Sequence, residues 1–420
     1  MTRTIEELTT ASIALWQRQA EGLPALGRRF TKAEQCQKEG VLDRFAALLE
    51  SEIGGTPRTL QERARAHARI SSAFAEFARN ALELDDRHID LLLHDGFPAV
   101  GTTLGRLARQ FDANVTTAEI LQACRNAWAA CGLQSLFGMP MRITPAIFGY
   151  SMLYPYTDNY LDDASVAREQ KMQFSAQFRR RLAGEPVPAA NGREEIIWNL
   201  VNRIESTFAR DEYLEVYASL LSIHRSQEES LRLFENAGAS DALRVVFTKG
   251  GASVLADAYL AAGRLTDEEA CFAFDWGVLL QLGDDLQDVR EDSARHLRTV
   301  FSIGAASGPL DSLTSRTLQF ALDVLGRMEN LHAAPEPLKE LIRRSSVSLI
   351  VRAAGALRDC YSEPYIADLE TYSPFRFEFM ANRREKMARH KGRLGMLFEA
   401  FLAADQDEPV FPLLPNSLFV

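Results

Sequence analysis

Basic charge is what this chain has too little of: 47 Lys and Arg stand against 57 Asp and Glu, for a net charge of −10. Neutralising nucleic-acid phosphates takes a basic surface, so this balance excludes a nucleic-acid binder. Cysteine is scarce and unpaired. The five (Cys36, Cys124, Cys131, Cys271, Cys360) are scattered without a CxxC, which predicts reduced thiols. Cys124 and Cys131 fall on one predicted helix and are both expected to face the core. Long apolar runs are missing too, since no window approaches 18 uncharged apolar residues, and no membrane span is expected. The first residues, MTRTIEELTTASIALWQRQ, carry acids where a signal peptide needs bases. A cytoplasmic protein is the expectation. No internal repeat and no low-complexity segment occurs.

What is abundant is Ala, Leu, Arg and Glu, with few β-branched runs, and 46% of residues are hydrophobic. That composition predicts an all-α chain able to bury a large core. Residues 1–115 read as several amphipathic helices, punctuated at 54–57 and 96–98, and form an N-terminal extension on the bundle. Asp85, Asp86 and His88 read as a surface turn. A capping box at Thr116 and Glu119 opens the next helix, and a second at Thr266 and Glu269 opens another. Residues 183–192 (AGEPVPAANG) are a loop, with helices over 193–210 and 211–236. Further loops are predicted at 304–311 and 333–337. Ser373-Pro374 has the chemistry to start a basic helix, a solvated face or a cap over an anionic ligand. The main helical domain is expected over 116–395 and an irregular tail over 396–420.

The chain organises itself around residues 271–292, CFAFDWGVLLQLGDDLQDVRED. Asp284, Asp288 and Asp292 are spaced i, i+4, i+8, one stripe on a helix. Followed backwards, the stripe becomes Leu280, Gly277, Trp276 and Ala273, so the acids stand at the mouth of an apolar interior. Like charges at that spacing repel, tolerably if they face water and usefully if a cation sits on them. Oxygen-only ligands suit Mg²⁺, which takes one or two carboxylates plus waters and phosphates.

A second run repeats the pattern. Phe148, Tyr150, Met152, Leu153, Tyr154 and Tyr156 lead into Asp158, Asp162 and Asp163. Asp158 and Asp162 share a face, whereas Asp163 lies well round from them. Pro155 is expected to kink or restart the helix just before the acids. Arg168 and Lys171 follow, and Arg225 and Lys249 lie between the clusters. Gly250 and Gly251 sit inside a helical pattern and predict either a kink or a close backbone approach. Asn126 and Gln134 are core amides on the plain reading and cavity lining on the sharper one.

These motifs resemble those of the class I isoprenoid synthases: prenyl elongases, squalene and phytoene synthases, and terpene cyclases. QLGDDLQD is similar to the second aspartate-rich motif of elongases. With Gln281, Asp284, Asp288, Glu291 and Asp292 it also resembles the squalene and phytoene synthase segment. DNYLDD at 158–163 is similar to the first motif, and Lys249 to the elongases' diphosphate-binding lysine. The elongases' paired arginines are reduced to Arg168 followed by Glu169, and the cyclases' arginine-tyrosine pair has no clear counterpart. The resemblance covers roughly residues 120–395. It implies an all-α bundle around a deep apolar cavity, lined by Asn126, Gln134, Tyr154, Gly250, Gly277 and Gln281. It implies three Mg²⁺ ions bound with substrate by Asp158, Asp162, Asp163, Asp284, Asp285, Asp288 and Asp292. Lys249, Arg168, Lys171 and Arg225 would hold diphosphate. The expected reaction is ionisation of an allylic prenyl diphosphate, with Asp158, Asp162, Asp284 and Asp288 essential, followed by cyclisation or coupling of the cation. Peripheral membrane contact and a homodimer stay open.

Two readings in other directions are a chain-elongating prenyltransferase and a helical binding protein with a relic site. A ferritin-like metal bundle needs two ExxH pairs, and only Glu329 to His332 fits.

Overall fold

The computed structural model describes residues 3–402 apart from 54, 56, 95, 164, 231–238 and 389–390. Among these residues the regular elements are all helical and no strand occurs, in keeping with the helix-forming composition. None of the described helices is long and apolar enough to cross a membrane. All five cysteines are free, with Cys124 and Cys131 buried in the core as their spacing predicts.

The chain enters through α1 (Ile5–Gln17), α2 (Lys32–Ile53), α3 (Leu60–Asn80), α4 (Asp86–Leu93) and α5 (Phe97–Phe111). Asp85 is the N-cap of α4 rather than part of a free turn, accepting from the His88 backbone N–H. Next come α6 (Thr117–Leu136), α7 (Pro145–Asp162), α8 (Arg168–Leu182), α9 (Gly192–Glu205) and α10 (Leu214–Ser230). The Thr116–Glu119 box opens α6 as expected, and residues 183–191 form the predicted loop. The helix expected over 211–236 is α10, and 231–236 lie outside the described residues.

α7 departs from expectation by running through Pro155 without restarting. An interior proline forgoes one backbone hydrogen bond, and tight packing carries it here. α7 lies against α6 and α9, so close that a Cβ on Gly149 would stand 2.7 Å from the Leu200 carbonyl oxygen.

At the centre are α11 (Ala239–Ala262) and α12 (Asp267–Gln287), the most extensively packed pair. Phe247 on the first and Phe272 and Phe274 on the second are fully buried. The two helices touch backbone to backbone: a Cβ on Gly277 would lie 2.3 Å from the Gly250 oxygen, and one on Gly250 2.8 Å from the Gly277 oxygen. Gly250 and Gly251 therefore serve close approach, and α11 is not interrupted. The Thr266–Glu269 box starts α12 as expected. Its end comes sooner: Asp288 is the C-cap, and α13 (Val289–Ala294) is a separate short helix. The predicted stripe of Asp284, Asp288 and Asp292 is thus broken at its middle member.

The chain closes with α14 (Val300–Ser307), α15 (Asp311–Gly326), α16 (Glu336–Ala356), α17 (Glu363–Glu370), α18 (Phe377–Ala388) and α19 (Lys391–Leu402). The loop expected over 304–311 shrinks to 308–310 because α14, opened by the Thr299–Ser302 box, runs on to Ser307, where Gly308 caps it. The one at 333–337 shifts to 331–335. Ser373 does not cap α18; its hydroxyl turns to the Phe375 backbone, and Glu370 accepts the Phe377 N–H instead. Arg389, His390 and the tail over 403–420 lie outside the described residues. α16 lies along α12, where Trp276 Nε1 donates to Ser346 Oγ at 3.2 Å.

Candidate functional site

A cavity of about 1750 Å³ lies among α6, α7, α10, α11, α12 and α16. Most of the stripe read from the sequence lines it: Trp276, Gly277 and Leu280 on α12, with Gln281 beside them, lead to Asp284 and Asp288, while Ala273 is buried outside the lining. From α7 come Tyr150, Leu153, Tyr154, Thr157 and Asp158, and from α11 Lys249 and Gly250. The space continues past this mouth to Phe45 of α2 and Phe74 and Phe77 of α3. The first 115 residues therefore wall part of it, mostly with apolar side chains and with Arg28, Glu50 and Glu83 among them.

Asp158 and Asp284, far apart in sequence, face one chamber. Lys249 acts electrostatically on both and on Asp285. The Tyr154 hydroxyl, pushed up to about 12 chiefly by burial, feels Asp158, Asp284 and Asp162 together. Burial also pushes the Asp158 carboxyl up to about 6, with Asp162 adding repulsion and Lys249, Thr157 and Gln227 opposing. Asp284 rises to about 6 for the same reason, opposed by Arg125 and Lys249 and reinforced by Asp288. Cavity water reaches the Asp284 side chain, yet protein walls surround it, so its charge is poorly hydrated. Asp285 is fully buried behind it and rises to about 7. Gln281 donates to its Oδ1 at 2.8 Å, while Oδ2 is buried without a partner.

The other expected residues are placed differently. Asp162 is exposed at the end of α7 and outside the lining. Asp163 is exposed and held below the usual carboxylate range by Ser165, whose N–H and hydroxyl donate at 2.8 and 2.7 Å. Asp292 turns to Thr299, accepting from its hydroxyl at 3.2 Å, because the helix break at Asp288 rotates it off the stripe. Arg168 and Lys171 sit on the first turn of α8 and Arg225 is exposed on α10, all outside the cavity wall. Asn126, Tyr154, Gly250, Gly277 and Gln281 line the cavity; Gln134 does not, being a core amide that accepts the Arg142 N–H at 2.9 Å.

Lys249 lines the cavity as expected, whereas further lining cations went unnoticed in the sequence. Arg125 belongs to α6, on a stripe with Leu121, Trp128, Ala129 and Gly132 that faces the cavity. A lone arginine on an otherwise apolar helical stripe was the available signal. Arg352 of α16 is half-buried beside the exposed Arg384 of α18, and both line the cavity. Burial first, then Arg384, lowers its guanidinium to about 10. Gln227 of α10, which hydrogen-bonds Asp158, is a further member.

Among the described residues no three carboxylate, histidine or cysteine groups converge closely enough to hold a metal alone. The donor set still fits Mg²⁺ of one kind. Asp158, Asp284 and Asp288 are oxygen donors on the cavity wall, and Asp285 Oδ2 lacks any partner. Mg²⁺ commonly takes one or two carboxylates and completes its shell with water and substrate phosphate. Comparison with protein-family models, with curated proteins and with solved structures finds no match for this chain.

Proposed function

We propose that the chain is a Mg²⁺-dependent class I isoprenoid synthase, which ionises an allylic prenyl diphosphate, releases diphosphate and cyclises or couples the cation. The supporting observation is the confrontation of Asp158 and Asp284 at the mouth of one apolar chamber with Lys249 between them. Asp158, Asp284 and Asp288 would hold Mg²⁺, which neutralises charge growing on the departing diphosphate. Lys249 and Arg125 are placed to donate hydrogen bonds to the same oxygens. Gln227 and Gln281 orient Asp158 and Asp285. The rings of Tyr150, Trp128 and Trp276 exclude water from the cation and stabilise it through their quadrupoles. About 1750 Å³ exceeds the roughly 300–1,000 Å³ of ordinary ligand pockets, which favours a long chain or two chains.

The test is product analysis by mass spectrometry with farnesyl and geranylgeranyl diphosphate, each with and without isopentenyl diphosphate. Mg²⁺-dependent diphosphate release with a hydrocarbon or coupled product is expected. Longer diphosphates formed only with isopentenyl diphosphate would make the chain an elongase. No release from any of them would leave a binding protein.

A further inference from the structure

Deep in the cavity stands a carboxyl that diphosphate binding does not use. Lys249, Ser253 and Asp257 follow one another at i, i+4, i+8 on α11, and all three line the chamber. Eight residues of helix place Asp257 about 12 Å deeper than Lys249. It is 2% exposed. Its Oδ1 is fully buried with no hydrogen-bond partner, and no ion pair to it exists among the described residues. Burial alone raises its pKa, well above the ordinary carboxylate value, with no cation to offset it. Its titratable neighbours are the Cys131 thiol of α6 and the Tyr150 hydroxyl of α7. The latter lies 3.4 Å from Ser253 Oγ. Burial without a partner therefore favours the neutral form of Asp257 on the chamber wall.

A buried polar group without a partner is costly, and in a chamber shaped for an apolar tail no ordinary ligand group relieves that cost. A proton donor is the use that fits such a group. We propose that Asp257 is a catalytic acid–base for the far end of the prenyl chain, acting on a carbon–carbon double bond remote from the diphosphate. The inference rests on the prenyl-diphosphate reading above. In the forward step the Asp257 O–H bond breaks and its proton forms a C–H bond at the less substituted alkene carbon. The π electrons supply that bond, leaving a tertiary cation beside a carboxylate. In the return step the carboxylate takes a proton from a carbon next to the final cation, whose C–H electrons become a new double bond. Asp257 is then protonated again, so this cycle is neutral by itself. It runs on the uncharged chain, separately from ionisation, whose allylic cation loses its own proton to the released diphosphate, and no oxidant is consumed.

The experiment is turnover of the full chain in D₂O with product mass spectrometry, for the wild type and Asp257→Asn, with diphosphate release measured in parallel. The wild-type product is expected to gain one deuterium per molecule. Asp257→Asn should release diphosphate within about threefold of the wild-type rate but give a deuterium-free, less cyclised product. An undeuterated wild-type product with normal release would overturn the proton donation and leave the diphosphate site standing. Absence of release in the wild type would overturn both readings. A measurement independent of turnover guards against a misfolded variant: infrared difference spectra at pH 7 should show a protonated-carboxyl band in wild type that Asp257→Asn removes. Asp257→Asn and Asp257→Leu should also melt higher than wild type. Loss of stability in both, with no such band, would make Asp257 a charged structural residue and end the proposal.

Discussion

Protein walls enclose the cavity water that reaches Asp158 and Asp284, so both charges are poorly hydrated and both acids keep their protons up to about pH 6 instead of 3.8. An acid whose folded-state pKa is raised adds stability that is complete below the unfolded value and disappears as pH climbs through the folded one. The ligand-free chain is therefore expected to lose melting temperature between about pH 4 and 7. Cations favour the ionised form, so affinity for Mg²⁺ with diphosphate should increase over that same interval and binding should release protons. Calorimetry in buffers of different ionisation enthalpy reads that release; proton uptake would contradict it. Mutation gives a sharper outcome. Asp158→Asn and Asp284→Asn remove a poorly hydrated charge facing a like charge, so thermal stability should hold or rise. Diphosphate release should fall by at least about 100-fold, the scale of losing one electrostatic contact to developing charge. Arg225→Gln, on an exposed surface outside the chamber, should leave release unchanged.

The crossing of α11 over α12 sets the distance between Lys249 and Asp284, and it depends on Gly250 and Gly277. A methyl group on Gly277 would meet the Gly250 oxygen at 2.3 Å, where the obstacle is backbone and not a yielding side chain. Gly277→Ala is expected to cost about 1–3 kcal/mol as overpacking, measured by urea unfolding, and to reduce turnover disproportionately by spreading the two helices. Gly326→Ala, with nothing within 4 Å of its added Cβ, is the matched control and should be neutral or slightly stabilising. At this scale the sequence was readable wherever a local rule governed. Thr116 with Glu119 and Thr266 with Glu269 announced helix starts because capping needs only four residues. The glycine pair was ambiguous because a kink and a close approach share one sequence signature, and only the neighbouring helix decides. The break at Asp288 and the passage of α7 through Pro155 were invisible for the same reason: tertiary packing overrode the local preference. Arg125 was missed because it is a single polar residue on an apolar stripe, and Asp257 because the one charged residue on its face, Lys249, lies two turns away.

Across the molecule, one chamber joins the acids of α7 and α12 to a largely apolar wall to which the N-terminal helices contribute. The acids at the mouth do not form a cage of three ligands among the described residues, and this has a consequence for how metal is taken up. A protein that supplies only one or two carboxylates per ion leaves most of the Mg²⁺ shell to other oxygens, and reluctantly dehydrated Mg²⁺ gains little from such a site alone. Pyrophosphate supplies the missing oxygens and finds Lys249 and Arg125 waiting at the same place. Metal and anion should therefore bind as one unit, each raising the affinity for the other by the same factor. Mg²⁺ alone at millimolar concentration is expected to leave the melting curve unmoved, and pyrophosphate alone to shift it weakly against the acid repulsion. Together, at a hundredfold excess over Kd, they should stabilise the chain by roughly 2.7 kcal/mol. Asp158→Asn and Asp284→Asn should each abolish that joint shift. A full shift with Mg²⁺ alone would mean a preformed metal cage, and no shift with both together would mean that the carboxylates on α7 and α12 meet across the chamber without sharing a ligand.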